Sequence, residues 1–224
     1  MRETGKLHQR SARHAALGDP VRLAIVDELV SSDRAPVELR RLIGVESNLL
    51  AHHLDVLDGV GLIHRWRSSG DGRRRYVGLV PSALEGLGFG RSVPAGPALF
   101  ICTANSARSQ LAAALWRELA DARADSAGTH PAERVHAGAA AAARRAGLDL
   151  ARSTPRALRA GERLPPLVVT VCDRAHEELD LDDSWMHWSI PDPVVVGTRA
   201  AFDGTVAELR SRIESMLDDT RWAS

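Results

Sequence analysis

The chain has 224 residues, with 29 Lys and Arg against 29 Asp and Glu, so it carries no net charge. Its 44% hydrophobic and 26% charged composition allows one large core or two modest ones, and excludes a disordered or strongly polyionic chain. Two cysteines give no disulfide framework and point to a reducing compartment. With no signal peptide at the start and no apolar run near the ~20 residues a bilayer requires, a cytoplasmic protein without membrane association is expected.

The charge is uneven along the chain. Residues 1–80 hold 13 Lys/Arg against 10 Asp/Glu and five of the nine histidines, whereas residues 81–224 hold 16 against 19. That sign suits an N-terminal half that meets a polyanion. Periodicity predicts a first helix over 7–17, ended by Gly18. Asp19-Pro20 then reads as an N-cap followed by proline at the first helical position, and Val21, Ile25 and Leu29 continue an apolar stripe. Pro36 opens a short helix over 37–43 that Gly44 stops. A further helix is expected over 46–60, with Leu50, Leu54 and Leu57 on one face and Gly61 as terminator. Two helices joined by a glycine turn match a helix-turn-helix, whose second helix enters the major groove. Runs over 62–67 and 74–80 flank the hairpin signal Asp71-Gly72 and fit a wing. Arg65, Arg73, Arg74 and Arg75 would meet backbone phosphates there. Ser47, Asn48, Ala51 and His52, with Asp55, would face the groove because the leucines claim the opposite side. Adjacent helical residues diverge by about 100°, so His52 facing out and His53 packed is the expectation, and no metal site is predicted.

Residues 81–97 are rich in glycine and proline and read as a linker, with one helical turn over 82–87. Gly86-x-Gly88-x-Gly90 has no preceding strand and is discounted as a dinucleotide loop. From residue 98 onward strand and helix signals alternate. Strands are expected over 98–102, 124–129, 164–171 and 185–190, and helices over 111–119, 135–146 and 202–217. This order implies a parallel sheet with helices on both faces and a site beyond the carboxyl ends of the strands.

At the first such end stands Cys102-Thr103-Ala104-Asn105-Ser106-Ala107-Arg108-Ser109. A strand, a tight loop and a helix start converge backbone N–H groups on an anion, so Thr103, Ala104, Ser106 and Ala107 are expected to bind an oxyanion. A cysteine at a helix start beside a cation can fall to a pKa of roughly 3.5–7.5 from about 8.5, which would make Cys102 a thiolate nucleophile. Arg108 is placed to grip two oxygens of the anion, Ser109 to donate to the sulfur, and Asn105 to hold the loop by bonding its own backbone. Asp192, stiffened by Pro191 and Pro193, is the candidate general acid. Cys172, just after the expected third strand, is the candidate second thiol.

Two family resemblances follow from these residues. Asp19-Pro20-Val21-Arg22-Leu23, Leu49-Leu50-Ala51-His52-His53-Leu54-Asp55-Val56-Leu57 and Gly61-Leu62-Ile63 resemble the ArsR-type winged-helix repressors over about residues 8–80. That implies a homodimer on palindromic operator DNA. Family members that sense arsenite use cysteine thiolates, and residues 1–80 contain none, so thiolate sensing within this part is excluded. The C-x5-R-S loop and Asp192-Pro193 resemble the low-molecular-weight tyrosine phosphatase superfamily, and within it the thioredoxin-coupled arsenate reductases. Val194 stands where phosphatases of the superfamily usually carry an aromatic residue. Val169-Thr170-Val171-Cys172-Asp173-Arg174-Ala175-His176-Glu177-Glu178 resembles the reductase segment, but Leu179 stands where those enzymes have a further cysteine. The resemblance implies that Cys172 could attack a Cys102–arsenate adduct, with an external thiol or a redoxin as reductant and no bound cofactor.

The expected architecture is therefore two domains: a mainly α winged helix-turn-helix over 1–80, a linker over 81–97, and a doubly wound α/β domain over 98–224. The expected function is a DNA-binding regulator fused to an arsenate-binding, arsenate-reducing domain. The alternatives are a catalytically silent sensor of phosphate or arsenate, or a protein tyrosine phosphatase.

Overall fold

A computed structural model describes residues 2–84, 93–179 and 184–217. The chain divides into two compact units; of the described residues the first holds 2–67 and 73–84 and the second 68–72, 93–179 and 184–217.

The first unit begins with α1 (Arg2–Leu17) and α2 (Pro20–Ser31). Asp19 caps α2 as its sequence predicts: its Oδ1 accepts from the N–H of Val21 at 2.9 Å and of Arg22 at 3.0 Å. The short α3 (Pro36–Ile43) starts with the Glu38 carboxylate accepting from the Ala35 N–H at 2.7 Å, and ends at Gly44 with φ 73°. In α4 (Ser47–Gly59) Leu50, His53, Leu54 and Leu57 are buried, the i, i+3, i+4, i+7 spacing of a single packed face. Strands β1 (Ile63–Arg67) and β2 (Arg75–Leu79) form an antiparallel pair with Trp66 opposite Tyr76. The α2–α3 connection adds a bridge absent from the sequence expectation, with Arg34 and Val77 exchanging both backbone hydrogen bonds at 3.0 and 2.8 Å. The core of this unit runs past residue 80, because α5 (Pro81–Leu84) buries Ala83 and Leu84 in it. The expected linker is thus structured at both ends: Val93 packs on the second core and its N–H donates to the Met216 carbonyl at 2.8 Å. The glycine stretch 86–90 and the rest of 85–92 lie outside the described residues.

The second unit is built on four parallel strands in the order β4-β3-β5-β6, namely β4 (Ala124–Gly128), β3 (Ala98–Cys102), β5 (Leu167–Thr170) and β6 (Met186–His187). Every residue of β3 and β5 is buried, as central parallel strands require. The connections are α6 (Arg108–Leu119), α7 (Ala137–Arg145) and α8 (Asp173–Glu178), and α9 (Pro193–Val196) and α10 (Arg199–Leu217) complete the unit. Phe100 sits between Trp116 and Trp188, with ring centroids 6.1 and 6.0 Å away.

Three expected boundaries shift for local reasons. The strand expected over 164–171 begins only at Leu167, because Pro165 and Pro166 have no N–H for the ladder. The helix expected from 135 begins at Ala137, because His136 becomes its N-cap, its Nδ1 accepting from the Gly138 N–H at 3.1 Å. The strand expected over 185–190 is paired only at Met186 and His187, beyond which Pro191 and the Asp192 cap redirect the chain. Among the described residues no helix is long and apolar enough to cross a membrane.

Candidate active site

Cys102 closes β3, and α6 begins at Arg108 rather than Leu111, so Arg108 and Ser109 lie in its first turn. Between them the loop 103–107 turns back over the strand end. Its carbonyls are tied outward to a segment that the sequence did not single out. The N–H groups of Thr129, His130, Ala132 and His136 donate to the carbonyls of Cys102, Thr103, Ala104 and Ser106 at 3.2, 2.8, 2.9 and 2.9 Å. In a trans peptide the N–H points opposite to the preceding carbonyl. Fixing those four carbonyls outward therefore turns the N–H groups of Thr103, Ala104, Asn105 and Ala107 inward. The Asn105 N–H is seen there, 3.2 Å from the Cys102 sulfur.

The Cys102 sulfur is buried and lies 3.0 Å from the Ser109 hydroxyl. Asn105 Nδ2 donates to that same hydroxyl oxygen at 2.8 Å, which leaves the hydroxyl proton to face sulfur. Asn105 differs from its expected role. Its backbone sits in the left-handed region at φ 48°, which asparagine tolerates, and its side chain bridges the loop to other elements instead of closing on its own backbone. Its Oδ1 accepts from the Arg156 N–H at 2.9 Å and from Gln110 Nε2 at 3.3 Å, and it is fully buried.

Arg108 is buried, with Nη2 donating to Asp192 Oδ2 at 2.6 Å and Nη1 to the Ile190 carbonyl at 3.0 Å. Asp192 in turn caps α9, its Oδ1 accepting from the Val194 N–H at 2.9 Å. The two residues expected to handle the anion and the proton are thus in direct contact.

Cys172 is buried and is the N-cap of α8, its sulfur 3.4 Å from the Ala175 N–H and 3.3 Å from the Thr103 hydroxyl. Burial pushes its thiol above the ordinary range, the Arg108 cation opposes that, and the neighbouring Cys102 sulfur adds to it. Behind it lies a buried polar cluster that sequence reasoning missed. Thr170 Oγ1 stands 3.0 Å from His176 Nδ1 and 2.9 Å from His187 Nδ1, and His187 Nε2 is 3.1 Å from Asp173 Oδ1. Burial raises the Asp173 pKa, but hydrogen bonds from His187 and Ser189 outweigh it and hold the carboxyl well below the usual range. Among the described residues no group of three His, Cys, Asp or Glu side chains could hold a metal ion.

In the first unit Ser47, Asn48, Ala51, His52 and Asp55 are all exposed, opposite the buried leucines of α4, and His53 is buried as expected. Arg73, Arg74 and Arg75 are exposed on the hairpin. Arg65 is engaged by carboxylates, with Nη2 2.7 Å from Asp55 and Nε 3.3 Å from Asp58.

Solved structures similar to this chain cover about half of it. An arsenate reductase from Archaeoglobus fulgidus DSM 4304 is 29% identical, covering 55% of this chain and 99% of its own at a TM-score of 0.46. A thioredoxin-dependent arsenate reductase from Corynebacterium glutamicum is 25% identical over 55% of this chain and 63% of its own, at a TM-score of 0.41. A low molecular weight protein tyrosine phosphatase from T. tengcongensis is 21% identical over 55% and 97%, at 0.48. No curated protein matches the chain. The family model described as low molecular weight phosphotyrosine protein phosphatase matches residues 98–222, more than half of the 224, and the chain belongs to that family of cysteine-nucleophile enzymes.

Proposed function

We propose that the chain is a DNA-binding regulator of the ArsR type, expected to act as a homodimer in the cytoplasm, fused to a domain that binds and reduces arsenate. The observation that carries the enzymatic half is the Cys102 sulfur, set among the Ser109 hydroxyl and the Asn105 N–H inside a loop whose carbonyls are tied outward. Such a cradle suits an anion with three or four oxygens. The Cys102 thiolate attacks arsenic, Asp192 gives a proton to the departing oxygen, and water leaves a sulfur–arsenic adduct. Arg108 and the N–H groups of Thr103, Ala104, Ser106 and Ala107 hold the remaining oxygens. Cys172 then attacks the Cys102 sulfur, its thiol proton passing to an oxygen of the departing arsenite. The sulfur–arsenic bond breaks, its electron pair stays on arsenic as arsenite is released, and a Cys102–Cys172 disulfide remains for an external thiol or redoxin to reduce.

The Cys172 sulfur lies 3.3 Å from the Thr103 hydroxyl, which supports this reading because reduction requires a second thiol and phosphate-ester hydrolysis does not. The same cradle supports a second reading, a phosphatase or a silent oxyanion sensor. Leu179, in place of a shuttling cysteine, favours that one.

The DNA-binding half rests on α3, the Gly44 turn, α4 with its exposed polar face, and the β1–β2 hairpin bearing Arg73, Arg74 and Arg75. Ser47, Asn48, Ala51 and His52 would read base edges, while Arg73, Arg74 and Arg75 would meet phosphates; Arg65, paired with Asp55 and Asp58, is not counted among them. One set of assays tests both halves: arsenate reduction with several thiol donors, p-nitrophenyl phosphate hydrolysis, and binding to the chain's own upstream DNA with and without arsenate, phosphate and arsenite. Oxyanion binding without turnover of either substrate would retire the enzyme in favour of the sensor. No sequence-selective DNA binding would retire the regulator.

A further inference from the structure

Glu178, the last residue of α8, is tied to the segment that holds the phosphate loop from outside. Its Oε2 accepts from the Thr129 hydroxyl at 2.7 Å and lies 3.1 Å from His130 Nε2. Thr129 and His130 are the residues whose N–H groups hold the Cys102 and Thr103 carbonyls. At the other end of α8 the Cys172 sulfur touches the Thr103 hydroxyl. A six-residue helix is thus tied to the loop at its start by sulfur, and at its finish by a carboxylate to the segment that holds the loop. Burial raises the Glu178 pKa, yet the Thr129 and Arg174 hydrogen bonds outweigh it, so the carboxylate is charged at neutral pH.

We propose that Glu178 is a positioning residue that clamps α8 to Thr129 and His130, keeping the Cys172 sulfur buried against the phosphate loop until a reductant has to reach it. The proposal rests on the reading of Cys172 as the resolving thiol. Both cysteine residues are almost fully buried, Cys102 at 2% and Cys172 at 1% exposure. A thiolate from outside must attack Cys172 in line, form a mixed disulfide there and expel the Cys102 thiolate; a second external thiol then releases Cys172. With Leu179 where related reductases carry a cysteine to ferry the disulfide outward, α8 itself has to lift. The Glu178 clamp is one of the ties that sets how often it does, beside the bonds of Ser68, Ser69 and Asp71 to Glu177 and Asp173.

The test uses the full-length chain carrying Cys102→Ser, which leaves Cys172 as the single cysteine, and follows its alkylation by iodoacetamide with mass spectrometry. Adding Glu178→Gln is expected to speed alkylation about tenfold, and Thr129→Val to speed it in the same direction. Arg174 bonds Glu178 only within α8, at 2.7 Å, so Arg174→Met is expected to stay within about twofold of the parent. Equal rates for Glu178→Gln and the parent overturn the clamp. So does Arg174→Met matching Glu178→Gln, because helix fraying would then explain both. In the chain with both cysteines, arsenate under limiting thiol should yield a Cys102–Cys172 disulfide, two hydrogens lighter, which glutathione reduces faster in Glu178→Gln. Failure to form that disulfide sinks the resolving role of Cys172, an outcome distinct from an unchanged alkylation rate.

Discussion

Asn105 offers the sharpest test of how the loop is held, because five hydrogen bonds and a backbone constraint meet in one small buried residue. Asn105→Ala removes the 2.8 Å bond to Ser109 and the 2.9 Å bond to the Arg156 N–H, and leaves the Gln110 amide one acceptor short. Each polar group left unsatisfied in a buried place costs about 1–3 kcal/mol. Alanine held near φ 48° adds about 1 kcal/mol that asparagine largely escapes. Gln110 keeps the Asn105 carbonyl at 3.1 Å, so two such groups and the backbone penalty sum to about 3–7 kcal/mol, a large share of the ~5–15 kcal/mol that holds a typical domain together. Asn105→Gly loses the same hydrogen bonds without the left-handed penalty, so it should fall about 1 kcal/mol short of the alanine loss. Urea unfolding of the full chain measures both. Turnover should drop about 10²-fold in each variant, because Ser109 no longer presents its proton to sulfur from a fixed position. An alanine variant within about 1 kcal/mol of the parent, or one with undiminished turnover, would refute the claim that this side chain sets the loop.

Four further outcomes are expected. Cys102→Ser should abolish turnover of arsenate and of p-nitrophenyl phosphate while leaving DNA binding intact in a mobility-shift assay; loss of both would contradict a division of labour between the units. The Asp173 carboxyl is held below its unfolded value, so its contribution to stability is complete above the ordinary Asp range near pH 4 and is lost as pH falls below it; denaturation midpoints measured from pH 7 to pH 2 should show that loss in the parent and a smaller one in Asp173→Asn. Arg74→Ala and Arg75→Ala should each weaken DNA binding on all sequences alike and lower the salt slope by about 1. His52→Ala should instead cost about 1–3 kcal/mol on the preferred sequence and little on random DNA, read from competition titrations.

Most elements of both units were legible in the sequence because their signals are local, whereas the short α8 and α9 were not. Asp19-Pro20 fixes a helix start, Gly44 and Gly61 fix stops, and the apolar run 98–102 can only be a buried strand. Cys102, Arg108 and Ser109 were legible for the same reason: five intervening residues between a strand and a helix define one turn. What was not legible depends on contacts between residues far apart in the chain. Nothing in Thr129, His130, Ala132 or His136 marks them as the outer hold on the loop, since they act through backbone N–H groups that every non-proline residue carries. Arg156 reaches Asn105 in the same anonymous way. The His176–His187 pair, stacked at 4.1 Å, looks in sequence like two unrelated histidines on either side of a turn.

That asymmetry bears on how much a cysteine, five residues and an arginine can mean. The residues between Cys102 and Arg108 are small and mostly unremarkable, and in another setting their peptides could face either way. Their direction is decided by the strand next door. Gly128 ends β4 so close to the loop that a Cβ there would lie 2.6 Å from the Thr103 carbonyl oxygen and 3.0 Å from the Asn105 Cβ. Only glycine lets β4 come this near, and only that approach lets 129–136 reach the four carbonyls and turn the opposite N–H groups toward sulfur. The reactive half of the site is therefore written in 102–109, but its orientation is written in 128–136. A chain with the first stretch and without the second would have the nucleophile and no cradle around it.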